Sequence, residues 1–347
     1  MKTYNWGIIG TGLIAREMAS ALTACRGAVY GVCGTSREKA ERFAAENGVL
    51  HAYTDADALL SDANVDIVYI ATPHNMHFEF IRRSVLAGKH VLCEKAITVS
   101  SAEMEEAAAL AEEKGVVVME AMTIFHMPLY KKLKEIVASG AIGPVKTISV
   151  NFGSCKPYDV TSRFFCKDLA GGALLDIGTY AVSFARYFLD ERPDTVLSAV
   201  KRFETGVDEQ SGIVFMGENG QMAVIALSMR AKQPKRGVVA GELGYIEVAE
   251  YPRADRAAII YTADGRREEI ACGDSKKALE YEVEDMEKAV SGHLVSESMV
   301  LSRDVMWLLS SVQKQWEEQD EEQDEQQDKQ QDEQQDKQQD EQAGTQK

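Results

Sequence analysis

In the stretch Gly171–Tyr180, GGALLDIGTY, a carboxylate and a phenol stand four residues apart on an otherwise apolar segment. That spacing is little more than one helical turn, so Asp176 and Tyr180 would project from one face of a helix. Gly171 and Gly172 let the backbone approach another segment closely. Two polar groups buried among apolar neighbours are costly unless each has a partner. A hydrogen-bonded Asp–Tyr pair closing a core fits that description as well as a reactive site does.

A second set of chemical residues stands near the N-terminus. Residues 3–9 read as a buried strand, Gly10-Thr11-Gly12-Leu13-Ile14-Ala15 follows, a helical pattern runs to about Cys25, and Ala28–Cys33 reads as the next strand. This is a βαβ unit carrying the dinucleotide fingerprint G-x-G-x-x-(G/A) at its first turn. Gly10 permits the tight turn, Gly12 lets backbone amides reach a pyrophosphate, and Ala15 allows close helix–strand packing. Gly10, Thr11, Gly12, Leu13 and Ile14 are therefore the expected cofactor cradle, at a helix N-terminus that faces the phosphates. An NAD site usually has Asp or Glu at the end of the second strand. Here Gly34-Thr35-Ser36-Arg37 stands instead. The hydroxyl of Ser36 followed by the guanidinium of Arg37 suits a 2′-phosphate, which favours NADP and leaves NAD as the alternative.

The elements that must position these groups alternate. Helix-like 36–47, a strand near Leu50–Tyr53 and a helix near 55–61 precede the apolar run Asp66–Thr72, which ends in Pro73-His74-Asn75-Met76-His77. A helix over 76–87, a strand His90–Cys93 running into Glu94-Lys95-Ala96, a helix over 101–114 and a strand Val116–Met119 before Glu120 follow. The alternation predicts a Rossmann-type, doubly wound parallel sheet. Ligands of such sheets lie beyond the strand C-termini, where Thr72, Glu94, Lys95 and Glu120 fall. After a helix near 128–138, strands dominate: about 145–153, 195–204, 209–216, 221–229, 244–249, 257–262 and 267–272. A helix over about 172–189 interrupts them, and 278–291 and 299–316 close the series. The organisation expected is α/β: a nucleotide-binding domain over 1–122, an α+β domain with a large, mostly antiparallel sheet over 123–316, and a tail over 317–347. The open face of the second sheet is the expected surface for a homodimer or homotetramer. The tail is a four-residue Glu/Gln/Asp repeat with almost no apolar side chain, expected to be disordered or at most a solvated extension of the last helix.

Composition narrows the class. The net charge of −17 is concentrated in the tail, whose 13 acids and 3 lysines give −10, leaving −7 on residues 1–316. That excess disfavours nucleic acid and anionic membrane as partners. The six cysteines show no C-x-x-C spacing, and no His/Cys/carboxylate cluster has metal-ligand spacing, so neither a disulfide framework nor a metal site is expected. The apolar runs are too short to span a bilayer and none opens the chain, which points to a cytoplasmic protein.

Taken jointly, the fingerprint, Thr72-Pro73…His77, Glu94-Lys95, Glu120-Ala121 and G-G-x-x-x-D-x-G-x-Tyr resemble the Gfo/Idh/MocA oxidoreductase family over residues 1 to about 316. Tyr180 and Arg163-Phe164 are similar to the branch holding dihydrodiol dehydrogenase, NADP-dependent xylose dehydrogenase and glucose–fructose oxidoreductase. The resemblance implies hydride transfer between a nicotinamide and a sugar, polyol or cyclic diol. It implies Tyr180 as acid/base, Lys95 as the neighbouring cation that makes a phenol titrating near ~10 useful, and Asp176 as the group orienting a substrate hydroxyl or the pair. It further implies Thr72, Pro73, His77, Glu94 and Lys95 beside the cofactor, and Arg163, Phe164 and Asp176 beside the substrate. Two departures stand out: Ala96 replaces a proline often found in a cis bond, and Phe125 replaces an arginine, which suggests a less charged or differently shaped substrate. The competing expectations are a reductase of a larger conjugated substrate and a nucleotide-binding sensor without turnover, the latter disfavoured by the presence of both Lys95 and Tyr180.

Overall fold

A computed structural model describes residues 3–26, 28–292 and 297–344, with side chains of the last helix described to Glu322. The first six strands are β1 (Trp6–Ile9), β2 (Val29–Cys33), β3 (Val49–Tyr53), β4 (Ile67–Ile70), β5 (His90–Glu94) and β6 (Val118–Ala121). They form one parallel sheet in the order β3-β2-β1-β4-β5-β6. Every residue of β1 and β4 is buried, which explains why they read as unbroken apolar runs rather than as alternating patterns. The connecting helices are α1 (Leu13–Arg26), α2 (Arg37–Asn47), α3 (Ala56–Ser61), α4 (His77–Leu86) and α5 (Ser101–Lys114). Their ends carry the expected signals: Ser36, Asp55 and Ser100 cap α2, α3 and α5 through their side chains, and Gly48 and Gly115 close α2 and α5 in left-handed conformation.

The second domain opens with α6 (Thr123–His126) and α7 (Pro128–Ala138) and carries eight strands: β7 (Val145–Gly153), β8 (Thr195–Arg202), β9 (Asp208–Met216), β10 (Met222–Ser228), β11 (Gln233–Gly241), β12 (Gly244–Ala249), β13 (Arg256–Tyr261) and β14 (Arg267–Ala271). Their order is β14-β13-β12-β11-β7-β10-β9-β8, antiparallel throughout except for the β7–β10 pair. β11 is the strand missing from the sequence reading: Pro234, Lys235 and Arg236 at its start look like a loop, and pairing with β7 and β12 overrides that weak propensity. One face of the sheet packs inward under α8 (Thr179–Phe188) while Leu197, Met216 and Val224 remain exposed.

α9 (Ala278–Val290) and α10 (Ser298–Gly344) lean back on the first domain. Glu287 of α9 takes Trp6 Nε1 at 3.1 Å and pairs with Arg26 at 2.6 Å. α10 bonds Glu120 through Ser302 Oγ at 2.6 Å, then reaches β8, where Gln315 and Gln319 donate to the carbonyls of Val196 and Ser198. The backbone of α10 is helical to Gly344, the second of the two forms expected for the tail, a continuation of the last helix. Glu, Gln and Lys are good helix formers, and a helix already nucleated by packing extends without paying for a new start.

The segment from Leu174 to Gly178 is a π-helical turn ahead of α8, a correction to the regular helix expected over 172–189. Gly172 precedes it with φ +113°, and a Cβ there would lie 2.0 Å from Asp208 Oδ1. Asp208, buried and pushed up to about 6 by that burial, accepts Leu174 N–H at 2.7 Å and so fixes the start of the turn. Gly172→Ala is expected to lower stability by roughly 1–3 kcal/mol, read as a lower urea midpoint; an unchanged midpoint would show that the turn tolerates a side chain.

Candidate active site

At the crevice where strand order reverses between β1 and β4, Gly10 has φ +119°, and a Cβ on it would meet Ala71 O at 2.4 Å. Nothing lies within 4 Å of the position a Cβ would take on Gly12, and Leu13 beside it is 74% exposed. Thr11 and Ile14 are half-buried and Ala15 is fully buried against the sheet. An open cradle at a helix N-terminus, closed underneath by an alanine, fits a dinucleotide pyrophosphate. At the end of β2, Ser36 Oγ accepts Lys39 N–H at 3.3 Å as the cap of α2, and the exposed Arg37 rests on Glu41 at 3.4 Å. Lys39 Nζ reaches Thr35 Oγ1 at 3.2 Å, a second cation on this rim that sequence reasoning passed over.

Beyond β4, Pro73 is exposed and Thr72 is half-buried. His77 opens α4. It is fully buried, with Nδ1 2.8 Å from the Ala96 carbonyl and Nε2 2.9 Å from the Thr72 carbonyl. Through these two contacts it links the turns after β4 and β5. His74 joins it, Nε2 lying 3.1 Å from the Lys95 carbonyl. Burial first, and then the Lys95 charge, pushes His74 down to about 3, so this ring is neutral at physiological pH. The Lys95–Ala96 peptide is cis, although alanine stands where the resemblance would place proline. Ala96 is fully buried, and the next N–H, from Ile97, donates to Glu120 Oε1 at 3.1 Å.

Lys95 extends from this turn to the second domain. Its Nζ donates to the Asp176 carbonyl at 2.6 Å and stands 3.5 Å from Asp176 Oδ1. Arg163 Nη2 is 3.6 Å from the same carboxylate oxygen. Burial raises the Asp176 carboxyl, but the two cations outweigh it and hold the group below the usual range. Backbone N–H groups of Gly171 and Gly172 donate to Cys166 and Phe164 carbonyls at 3.0 Å, which sets the Arg163-Phe164 loop against the turn.

Tyr180 opens α8 with its ring 6.2 Å from Phe152 and 4.8 Å from Lys95 Nζ, centroid to atom in the latter case. Among the described residues it makes no hydrogen bond to Asp176, so the core-closing pair is not formed. Its phenol is pushed above the ordinary value, by burial first and then by Glu94; Arg253 opposes this. The expected lowering by Lys95 is therefore not the dominant effect; the ammonium lies over the ring face. Glu94 accepts from the Tyr69 hydroxyl and from Lys95 N–H at 3.3 Å. Arg253, at the turn after β12, had no signal in the sequence. Phe125 is buried and stacks on Tyr187 at 6.2 Å. Among the described residues no helix could cross a membrane, and no three or more His, Cys, Asp or Glu side chains gather to hold a metal.

A dinucleotide cradle on one domain, with a lysine reaching a tyrosine and a carboxylate on the other, defines an NAD(P)-dependent oxidoreductase acting on CH–OH groups. Residues 4–122 match the oxidoreductase family with the NAD-binding Rossmann fold, and residues 130–247 match the GFO/IDH/MocA C-terminal domain. Trans-1,2-dihydrobenzene-1,2-diol dehydrogenase of Xenopus laevis is 32% identical over 260 residues, 74% of this chain and 78% of that protein. D-xylose 1-dehydrogenase (NADP(+)) 2 of Haloferax volcanii is 31% identical over 265 residues, 75% and 81% of the two chains. A 3-ketoreductase from Actinomadura kijaniata, solved with NADP and TDP-benzene, shares the fold with a TM-score of 0.80 at 24% identity, over 89% of this chain and 97% of that one. The chain belongs to the Gfo/Idh/MocA family.

If His77 positions Lys95, His77→Asn should cut kcat roughly tenfold or more through misplacement of the lysine, with NADPH affinity held within about twofold. Weaker NADPH binding at unchanged kcat, measured by fluorescence titration and steady-state rates, would return the residue to the cofactor.

Proposed function

We propose that the protein is an NADP-dependent dehydrogenase or reductase that moves hydride between the nicotinamide and a CH–OH carbon of a sugar, polyol or cyclic diol. The observation that carries this reading is Lys95 crossing from the end of β5 to the Asp176 carbonyl at 2.6 Å, directly over the Tyr180 ring. The relatives named above act on a diol and on a sugar, and the second is named for NADP. The cofactor supplies the hydride acceptor or donor; the chain supplies the proton and the geometry. Tyr180, its phenol favoured in the protonated form by burial, donates to the carbonyl oxygen in reduction, and in oxidation its minor phenolate form takes the proton from the hydroxyl. Lys95 holds that same oxygen by charge, and Asp176 anchors the lysine so that its ammonium keeps one direction. Ser36, Arg37 and Lys39 would receive the 2′-phosphate. The exposed apolar positions Leu197, Met216 and Val224 on the second sheet make that face the proposed contact between copies of the chain.

Because the phenol pKa is raised, the reactive base is scarce at neutral pH. Oxidation should therefore quicken with pH between about 7 and 9, whereas reduction should not. Tyr180→Phe should lower both by about 10²–10⁴ and flatten the oxidative profile; a variant that keeps the wild-type rate and profile excludes the phenol as acid/base. Arg37→Ala should weaken NADPH roughly tenfold while sparing NADH. Equal losses for the two nucleotides in a binding titration would refute the 2′-phosphate contact.

A further inference from the structure

The site mouth holds more cations than its own carboxylates neutralise. Lys95 and Arg163 share Asp176, and Lys235 is paired with Glu250 at 3.1 Å. Lys156 is different. Its half-buried ammonium lies 3.8 Å from the centre of the Phe164 ring, and among the described residues no carboxylate comes within ion-pair distance of it. Arg163 lies against the same ring, its guanidinium carbon 4.2 Å from the centre. Two like charges are thus gathered on one aromatic side chain, on the glycine-braced loop and next to the carboxylate that anchors Lys95. The loop is held there: Lys156 N–H donates to the Met229 carbonyl at 3.0 Å, and Arg230 donates to the Lys156 carbonyl at 2.9 Å.

In a chain whose first 316 residues carry −7, such a gathering is not a sample of the surface. Burial, the Arg163 charge and the Lys95 charge all disfavour the charged form of Lys156, with only Asp176 opposing them. An assembly of this kind is relieved by a ligand that brings negative charge. The nicotinamide dinucleotide does not supply it here, since its phosphates belong to the cradle at Gly10–Ile14.

We propose that the substrate carries an anionic group, a carboxylate or a phosphate ester, seated between Lys156 and Arg163 beside Lys95 and Tyr180. This rests on the hydride-transfer reading for the reacting carbon but not for the anion seat itself. It also reverses the expectation, drawn from Phe125, of a less charged substrate, because the cations come from the 154–166 loop instead. The geometry leaves one end of the substrate on Tyr180 and Lys95 and the other, charged end on the loop, so a sugar-sized molecule bearing an acid or phosphate group is the fitting class.

The test is calorimetric titration of the NADPH-loaded protein with matched pairs: D-glucuronate against D-glucose, and D-glucose 6-phosphate against D-glucose. The anionic member of at least one pair should bind roughly tenfold tighter or more, and the preferred pair identifies carboxylate or phosphate. The preference should shrink with added salt and be lost in Lys156→Glu, with Lys156→Met as the milder variant should the first not fold. No tighter binding by either anionic member, or a preference unchanged in the variants, overturns the proposal. Turnover of the same pairs is read separately: binding preference without turnover would sink the hydride-transfer reading and leave the anion seat standing.

Discussion

The bond from Lys95 Nζ to the Asp176 carbonyl is the contact on which the rest depends. It joins the end of a strand in the first domain to the π turn in the second, and it does so with a charged group that is only 12% exposed. A buried ammonium is tolerable only where it is fully occupied. A backbone carbonyl, a carboxylate and an aromatic face together meet that demand. Each partner is itself held in place: the carboxylate by Arg163, the ring by Phe152, and the turn by Asp208 beneath Gly172.

The two imidazoles carry the same logic one layer back. His74 and His77 brace the carbonyls of residues 95 and 96, so a lysine that must point across a domain boundary leaves a backbone tied on both sides. Glu120 completes the brace from the far side; burial pushes it up to about 7, and Ser302 and the Ile97 N–H accept the role of its solvent. The order of the site therefore rests on buried groups tied to its backbone.

Most of the architecture was legible because its signals are local. Fully buried strands read as apolar runs, helix ends declare themselves through Ser36, Ser100, Gly48 and Gly115, and the fingerprint ties a glycine spacing to a sterically crowded turn at Gly10. What escaped depended on partners far away in sequence. β11 is a strand because β7 and β12 flank it, not because of Pro234-Lys235-Arg236. Arg253 reaches the neighbourhood of Tyr180 from a short turn, and Lys156 gains its meaning only where Phe164 and Arg163 fold beside it. The two carbonyl partners of His77 are likewise visible only in three dimensions, since its spacing after Thr72 says nothing of them.

The last helix also fixes when the molecule can be finished. Ser302 meets the carboxyl of Glu120 across 182 positions of chain, and Ser310 meets the Ser101 N–H across 209. The six strands of the first sheet are complete by Ala121, long before these partners leave the ribosome. Throughout synthesis of the second domain, the nascent first domain carries an open seam along β6 and α5. The seam closes only once α10 has been made, so the first domain cannot finish its packing ahead of the last helix.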